Sequence, residues 1–131
     1  MNYCAIILAA GKGHRYLKTI PKQYTVLDNE LIINHSLKIF SEINSIKKII
    51  LVINRADFNK FRTQVFTNKK IEIIQGGKER SNSVFLGLNK LKNSNYFLYY
   101  SLFVQKQANN IIKETITHLN KYAPNDYNLY F

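Results

Sequence analysis

Residues 3–15 read YCAIILAAGKGHR, and this stretch decides the fold. An unbroken apolar run is followed at once by small residues and by two glycines, Gly11 and Gly13. Such a run, ending at turn-forming residues, is typical of a strand that is buried on both faces of a parallel sheet. The stretch therefore predicts a strand over Tyr3–Ala9, with Cys4 buried inside it.

Further apolar runs alternate with helical patterns along the rest of the chain. The runs lie at 48–53, 71–74 and 96–104. Apolar residues at three- and four-residue steps predict helices over 32–43, 84–91 and 108–119, with a weaker candidate at 56–66. Strands that alternate with helices favour right-handed crossovers and a mainly parallel sheet covered on both faces. The predicted fold class is α/β, a Rossmann-like three-layer sandwich.

The length of 131 residues predicts a single domain, which we place at 1–122, with a tail at 123–131 that frays or swaps after Pro124. Apolar residues make up 46% of the chain, enough for a packed core. No apolar run approaches the roughly 18 residues that cross a bilayer, and no basic segment precedes the first run. We therefore expect a cytoplasmic protein with no membrane partner.

Positive charge is the most unusual feature of the composition, because 19 Lys and Arg stand against 8 Asp and Glu, giving a formal charge of +11. An excess of this size predicts anionic partners. The basic residues are spread along the chain, and the pairs Lys47–Lys48 and Lys69–Lys70 each precede an apolar run. We expect those pairs to be solvated at the starts of strands.

The loop after the first strand has the composition of a phosphate site. The small residues Ala9 and Ala10 and the two glycines that follow let the backbone approach an anion and direct N–H groups at it. The Walker pattern is absent, and Tyr16 stands where a dinucleotide-binding loop would have its third glycine. A tight connection with no ligand is the alternative. Arg15, and Lys22 in the segment IPKQY at 20–24, supply charges that suit phosphoryl or nucleotidyl transfer.

A second polar loop, QGGKERSNSV at 75–84, follows another predicted strand. Loops that follow parallel strands open on the same edge of the sheet, so this loop is predicted to open on the same edge as the first one. It offers a helix start with hydroxyl groups. The alternative is a glycine turn with Ser81 as a helix cap.

Three motifs in this order resemble one known family. LAAGxGxR at 8–15, PKQY at 21–24 and GGxxRxxSVxxGL at 76–88 are similar to the 2-C-methyl-D-erythritol 4-phosphate cytidylyltransferases, which are sugar-phosphate cytidylyltransferases. The ribitol 5-phosphate cytidylyltransferases share the motifs. The resemblance runs from about Tyr3 to Leu91 and implies the nucleotidyltransferase version of the predicted fold.

The resemblance also implies a reaction and a set of site residues. CTP and a polyol phosphate would be the partners, and CMP would be transferred with release of pyrophosphate, in non-mevalonate isoprenoid synthesis. Arg15 and Lys22 would stabilise the transition state at the α-phosphorus. The nucleotide-binding residues implied are Ala9, Ala10, Gly11 and Gly13 around the triphosphate, and Gly77 and Ser83 at the cytosine or ribose end.

The third loop departs from the family pattern. The family holds Mg²⁺ with an aspartate after the strand that matches 96–100, whereas this sequence continues with Ser101–Leu102. No Asp or Glu lies between Glu79 and Glu114, so we expect no metal ligand there. The chain is also a little over half of the family's usual length, without the arm that forms the family's homodimer. We therefore expect a fold that is incomplete at the C-terminus and a protein with weak or no activity.

A basic module that binds nucleotides or RNA without catalysis is the alternative from another functional class. Nothing in the sequence places the tyrosines and lysines on one surface, so nucleic acid is the less expected partner.

Overall fold

The computed structural model describes residues 3–10 and 20–91, together with the backbone of residues 97–101 and 128–130. The helices are α1 (Ile32–Glu42), α2 (Phe58–Phe61) and α3 (Arg80–Asn89). The strands are β1 (Tyr3–Ala9), β2 (Val26–Leu27), β3 (Glu30–Leu31), β4 (Ile46–Ile53), β5 (Ile71–Gln75), β6 (Phe97–Ser101) and β7 (Asn128–Tyr130). The helix predicted at 108–119 lies outside these residues. None of the described helices is long and apolar enough to span a bilayer.

Five strands form one sheet in the order β5-β4-β1-β6-β7, and every pairing between them is parallel. The predicted α/β class and the strand at Tyr3–Ala9 are confirmed. In the register of the sheet, Ala9 lies opposite Ile53, and Ile53 lies opposite Gln75. The carboxyl ends of β1, β4 and β5 therefore meet on one edge, which places their following loops together.

The central strands β1 and β4 are buried on both faces because they are apolar at successive positions. Ala5 and Ile7 of β1 face a cluster that includes the buried residues Ile33, Leu37 and Phe40 of α1. On the other face, the cluster consists of Cys4, Ile6, Leu8, Ile50, Val52 and Leu91, with Ile74 and Val84 packed against it. The three layers and the buried position of Cys4 match the sequence prediction.

Helix α3 packs on the sheet through small residues as well as through part of the predicted apolar pattern at 84–91. Ser83 and Gly87 are its buried positions. A Cβ atom at Gly87 would lie 2.9 Å from Cγ2 of Ile6, so the glycine allows the helix to approach the sheet closely. Of the apolar residues in the predicted helix, Val84 packs against the core and Leu91 is buried, whereas Leu88 is 39% exposed. The prediction that Leu88 shares a buried face with the other two is wrong.

A short hairpin, β2–β3, precedes α1 and was not predicted. Asp28 and Asn29 form its two-residue turn with φ of 51° and 64°. Asp and Asn tolerate this left-handed conformation better than other side chains do, and it is typical of tight hairpin turns. The His35 ring donates from Nε2 to the carbonyl of Leu27 at 2.8 Å, which fastens the hairpin to α1.

Residues 128–130, in the tail expected to fray or swap, form a strand that pairs with β6. The expectation that the lysines at 47–48 and 69–70 are solvated differs from the structure for two of the four. Lys48 pairs with Glu72 at 2.9 Å. Lys70 donates to the carbonyls of Ser41 and Ile43, at 2.7 and 3.2 Å, where α1 ends. Free carbonyls at a helix end attract a cation, so this lysine has a structural partner.

Candidate functional site

The Ala9 carbonyl, at the end of β1, anchors the segment that carries Lys22. It accepts one hydrogen bond from Nε2 of Gln23 and one from the hydroxyl of Tyr24, both at 3.1 Å. These residues belong to the PKQY motif at 21–24. Because its last two side chains bind the end of β1, the motif places the exposed Lys22 at the carboxyl edge of the sheet.

Tyr24 is the buried one of the two residues that bind the Ala9 carbonyl. Its ring stacks on Phe61 with a centroid distance of 3.9 Å and an angle of 4° between the planes. Burial raises the pKa of the Tyr24 phenol above its ordinary value, with a further contribution from the Asp57 charge. The hydroxyl therefore stays neutral and remains a hydrogen-bond donor to the Ala9 carbonyl.

Two contacts from Thr25 fix the backbone at Lys22. The Thr25 amide donates to the carbonyl of Lys22 at 3.1 Å, and the Thr25 hydroxyl donates to the same carbonyl at 2.7 Å. Residues 22–24 form one turn of 3-10 helix that starts after Pro21. Proline fixes its own φ angle, which restricts the backbone that leads to the lysine.

Asn54 holds the chain where it leaves β1. This residue directly follows β4, and its Nδ2 donates to the Ala10 carbonyl at 2.9 Å. Its Oδ1 accepts from the amide of Ala56, also at 2.9 Å, which fixes the orientation of the side chain. The sequence analysis did not identify Asn54. The signal available was a polar residue directly after a buried strand, at the edge where ligands bind in parallel sheets.

The double glycine after β5 is required by close packing. The Gly76 amide donates to the Ile53 carbonyl at 2.7 Å, and a Cβ atom at Gly76 would lie 2.7 Å from Oγ of Ser83. At Gly77, a Cβ atom would lie 2.4 Å from the Cβ of Asn82. Neither position has room for a side chain, so the two glycines let this loop fold against the start of α3.

Ser83 stabilises the loop from inside. Its hydroxyl accepts a hydrogen bond from the Gly77 amide at 3.1 Å and donates to the Glu79 carbonyl at 3.3 Å. The residue is completely buried. Gly77 and Ser83, both predicted site residues, therefore contact each other and together fix the shape of the loop.

Helix α3 begins with a capping box. Glu79 is the N-cap residue, and its amide donates to Oδ1 of Asn82 at 3.1 Å, while its side chain accepts from the backbone of Asn82. The alternative in which Ser81 caps the helix is wrong, because Ser81 lies inside the first turn. Through the capping box, the Glu79 carboxylate is hydrogen-bonded to the backbone of its own helix.

The charges on these loops are mainly positive. Lys22, Arg55 and Lys78 are exposed, and they lie beside or directly after the carboxyl ends of β1, β4 and β5. Asp57 is half-buried, and burial raises the pKa of its carboxyl, with Lys60 acting in the opposite direction. Among the residues that the structure describes, no three His, Cys, Asp or Glu side chains gather as metal ligands do. The described residues therefore offer no ready set of protein ligands for a divalent cation, and the carboxylates on these loops are the single residues Asp57 and Glu79.

The structure brings five of the predicted site residues to one edge of the sheet, namely Ala9, Ala10, Lys22, Gly77 and Ser83. The other three, Gly11, Gly13 and Arg15, lie outside the described residues. The two polar loops thus start at the carboxyl ends of β1 and β5, on one edge of the sheet with β4 between them, as predicted.

A parallel sheet covered by helices on both faces, with a lysine on an anchored turn and a double-glycine loop at its carboxyl edge, defines a Rossmann-like α/β fold. Comparison with known families then gives the particular family. The family model of IspD, 2-C-methyl-D-erythritol 4-phosphate cytidylyltransferase, matches residues 3–121, and the chain belongs to this family.

Individual relatives agree with this assignment. The 2-C-methyl-D-erythritol 4-phosphate cytidylyltransferase of Clostridium perfringens is 32% identical over 122 residues, which cover 91% of this chain and 54% of the relative. The protein of the same name from Lachnospira eligens is 39% identical over 95 residues, which cover 70% of this chain and 42% of the relative. The chain spans about half the length of the curated relatives it matches.

Solved structures show the same fold. The bifunctional IspDF of Campylobacter jejuni superposes with a TM-score of 0.73 at 24% identity, over 92% of this chain and 31% of that chain. The 4-diphosphocytidyl-2C-methyl-D-erythritol synthase of Anaerococcus prevotii gives a TM-score of 0.70 at 24% identity, over 92% of this chain and 51% of that chain. At this level of identity the likeness concerns the fold alone.

Proposed function

We propose that this chain binds CTP at the carboxyl edge of its sheet, as the nucleotide-binding portion of a 2-C-methyl-D-erythritol 4-phosphate cytidylyltransferase. The observation that carries the proposal is the anchoring of the PKQY segment on the Ala9 carbonyl. This contact brings a free ammonium group to the end of the central strand, where parallel sheets bind nucleotides. The family match over residues 3–121 supplies the choice of nucleotide.

The proposed reaction is the transfer of CMP to a polyol phosphate. A phosphate oxygen of the polyol phosphate attacks the α-phosphorus of CTP, one phosphorus–oxygen bond forms, and the bond to the departing pyrophosphate breaks. Negative charge on the non-bridging oxygens is stabilised by fixed cations. We assign this role to Lys22 and Arg15. 2-C-methyl-D-erythritol 4-phosphate is the acceptor that the family match favours over ribitol 5-phosphate.

The remaining site residues shape the pocket. Ala9 and Ala10, with Gly11 and Gly13, are proposed to wrap the triphosphate with backbone amides. Gly77 and Ser83 are proposed to frame the cytosine or ribose end of the nucleotide. The hydrogen bond between Gly77 and Ser83 supports this role for the two residues, because it keeps the loop in one conformation before any ligand binds.

We propose no role for Mg²⁺ in the binding of CTP by this chain. The family resemblance implies Mg²⁺, but the described residues at the carboxyl edge do not provide the oxygen ligands that it requires. The proposed binding of CTP therefore rests on the basic residues and the backbone amides alone.

Calorimetric titration of the chain with CTP and with ATP tests the proposal. Both nucleotides carry the same triphosphate, so a difference between them reports on the pocket for the base. We expect CTP to bind more tightly by about tenfold, the effect of one hydrogen-bonded group that the wrong base leaves unpaired. Equal affinities for CTP and ATP would contradict a cytosine pocket.

A further inference from the structure

We propose that the carboxyl edge of the sheet binds the polyphosphate group as the metal-free anion, and that Mg²⁺ competes with the protein for the ligand. The inference depends on the proposed function for the identity of the nucleoside. It concerns the ionic form of the ligand, which the charges on the loops determine.

The first support is a set of cations without partners. In the part of the chain that the structure describes, the side chains of Lys22, Arg55 and Lys78 form no ion pair or hydrogen bond. Each lies on a different segment, one anchored on the end of β1 and the others following β4 and β5. By contrast, Lys48 and Lys90 share Glu72, and Lys70 binds carbonyls at the end of α1.

The second support is the distance between these segments. The strands are neighbours in the order β5-β4-β1, with Ala9, Ile53 and Gln75 in register. Adjacent strands are about 4.8 Å apart, so the three strand ends lie within about 10 Å of one another. A triphosphate is long enough to contact basic side chains from all three segments.

The third support is the small number of carboxylates. The chain has no Asp or Glu before Asp28, so the first loop and the PKQY segment contain none. The loops after β4 and β5 have one each, Asp57 and Glu79. Glu79 is engaged in the capping box of α3, and Asp57 is half-buried at the start of α2. From residue 80 to residue 113 the chain has no further acid.

Together, these features predict that Mg²⁺ weakens the binding of the ligand to the protein. A divalent cation at a phosphate site is held jointly by the phosphate oxygens and by carboxylates of the protein. In the described part of the chain neither Asp57 nor Glu79 belongs to a group of metal ligands, so Mg²⁺ on the ligand mainly cancels negative charge that the three cations would otherwise attract. Since bound ions are the largest charges in a phosphate site, the magnesium complex should bind more weakly than the free anion.

The test is a pair of titrations of the full chain with CTP, one in EDTA and one in excess Mg²⁺, with the ionic strength matched by NaCl. We expect binding in Mg²⁺ to be weaker by about threefold or more, because charge neutralisation reduces the Coulomb attraction. Lys78→Ala should weaken binding in EDTA more than binding in Mg²⁺. Lys47→Ala, an exposed lysine near the opposite end of β4, should change neither.

Inorganic tripolyphosphate, titrated under the same two conditions, separates this inference from the proposed function. If tripolyphosphate binds better in EDTA while CTP shows no preference over ATP, the inference holds and the cytosine pocket fails. Tighter binding of either ligand in Mg²⁺ overturns the inference and leaves the proposal for CTP standing. If neither ligand binds in EDTA, both fail.

Discussion

Ala9 and Ala10 show how single hydrogen bonds build the candidate site. Their carbonyls accept from Gln23, Tyr24 and Asn54, which come from two different segments of the chain. Each of these bonds contributes about 0.5–1.5 kcal/mol to stability by itself. Their larger effect is geometric, because they bring residues 22–24 and the loop after β4 to the end of β1.

Lys22 is the described residue that the proposal places nearest to the triphosphate. Its replacement in Lys22→Ala should weaken CTP binding by about 1.5–3 kcal/mol, the usual contribution of a charged hydrogen bond. Lys47→Ala removes the same charge from an exposed position near the start of β4 and serves as the control. Calorimetry measures both variants. If the two substitutions weaken binding equally, the attraction is a general effect of net charge.

Sequence reasoning located Lys22 but missed the residues that hold it in place. A lysine two positions before a tyrosine, in a segment after a glycine-rich loop, suggests an anion site from local composition. The contact between Asn54 and Ala10 spans 44 positions in the chain, and a polar residue after a buried strand does not by itself indicate its partner. Hydrogen bonds of this kind become visible only when the register of the sheet is known.

Among the elements, the central strands and α1 were predictable because burial determines their pattern. β1 and β4 are apolar at nearly every position, and α1 has buried residues at Ile33, Leu37 and Phe40. The apolar spacing at 84–91 indicated α3 but not its close contact with the sheet. That contact depends on the small residues Gly87, which lies against Ile6, and Ser83. The β2–β3 hairpin has two-residue strands that are too short to give a periodic pattern.

A charged cluster joins three elements on the α3 face of the sheet, and it predicts a pH dependence. Glu72 of β5 accepts from Lys48 of β4 at 2.9 Å and from Lys90, just after α3, at 3.1 Å. These hydrogen bonds lower the pKa of Glu72 below its ordinary value of 4.5. The stabilising contribution is therefore complete above that value and is lost as the pH falls through the lower pKa of the folded state.

The variant Glu72→Gln should lose about 0.5–1 kcal/mol of unfolding free energy at pH 7, since the three groups are partly exposed and screened. The difference from the unmodified chain should shrink as the pH falls below 4.5 and through the lower pKa of folded Glu72, where the carboxyl becomes protonated in both states. Urea unfolding at pH 7 and at a pH below the folded-state pKa measures it. Glu42→Gln, at an exposed carboxylate with no ion pair among the described residues, is the control. A loss of equal size at both pH values would assign the effect to packing.

At the scale of the whole molecule, the order of the strands determines where the candidate site lies. β1 lies between β4 and β6, so the chain crosses to opposite sides of β1 as it builds the sheet. Such a reversal opens a crevice at the carboxyl ends of the strands, and the lysine and the double-glycine loop lie at that edge. Alternation of strands and helices predicted this layout. The short pairing of β7 with β6 was not predictable, because three residues at a sheet edge carry no periodic pattern.

The overall charge of +11 has two explanations, and the arrangement of residues distinguishes them. Lys48, Lys70 and Lys90 have structural partners, whereas Lys22, Arg55 and Lys78, at the carboxyl edge, have no ion pair or hydrogen bond of their side chains with the described residues. A general polyanion-binding protein would use basic residues on any exposed surface. Localised binding of a nucleotide would use only those near the strand ends.

Mapping of amide chemical shifts during a titration with CTP tests the central claim most directly. The account predicts that the largest changes occur at residues next to the ends of β1, β4 and β5, such as Ala10, Lys22, Asn54 and Gly77. The amides of Lys47 and Lys69, near the starts of β4 and β5, should not change. Changes spread over lysines at both edges of the sheet, or confined to the edge where the strands begin, would contradict a nucleotide site at the carboxyl edge.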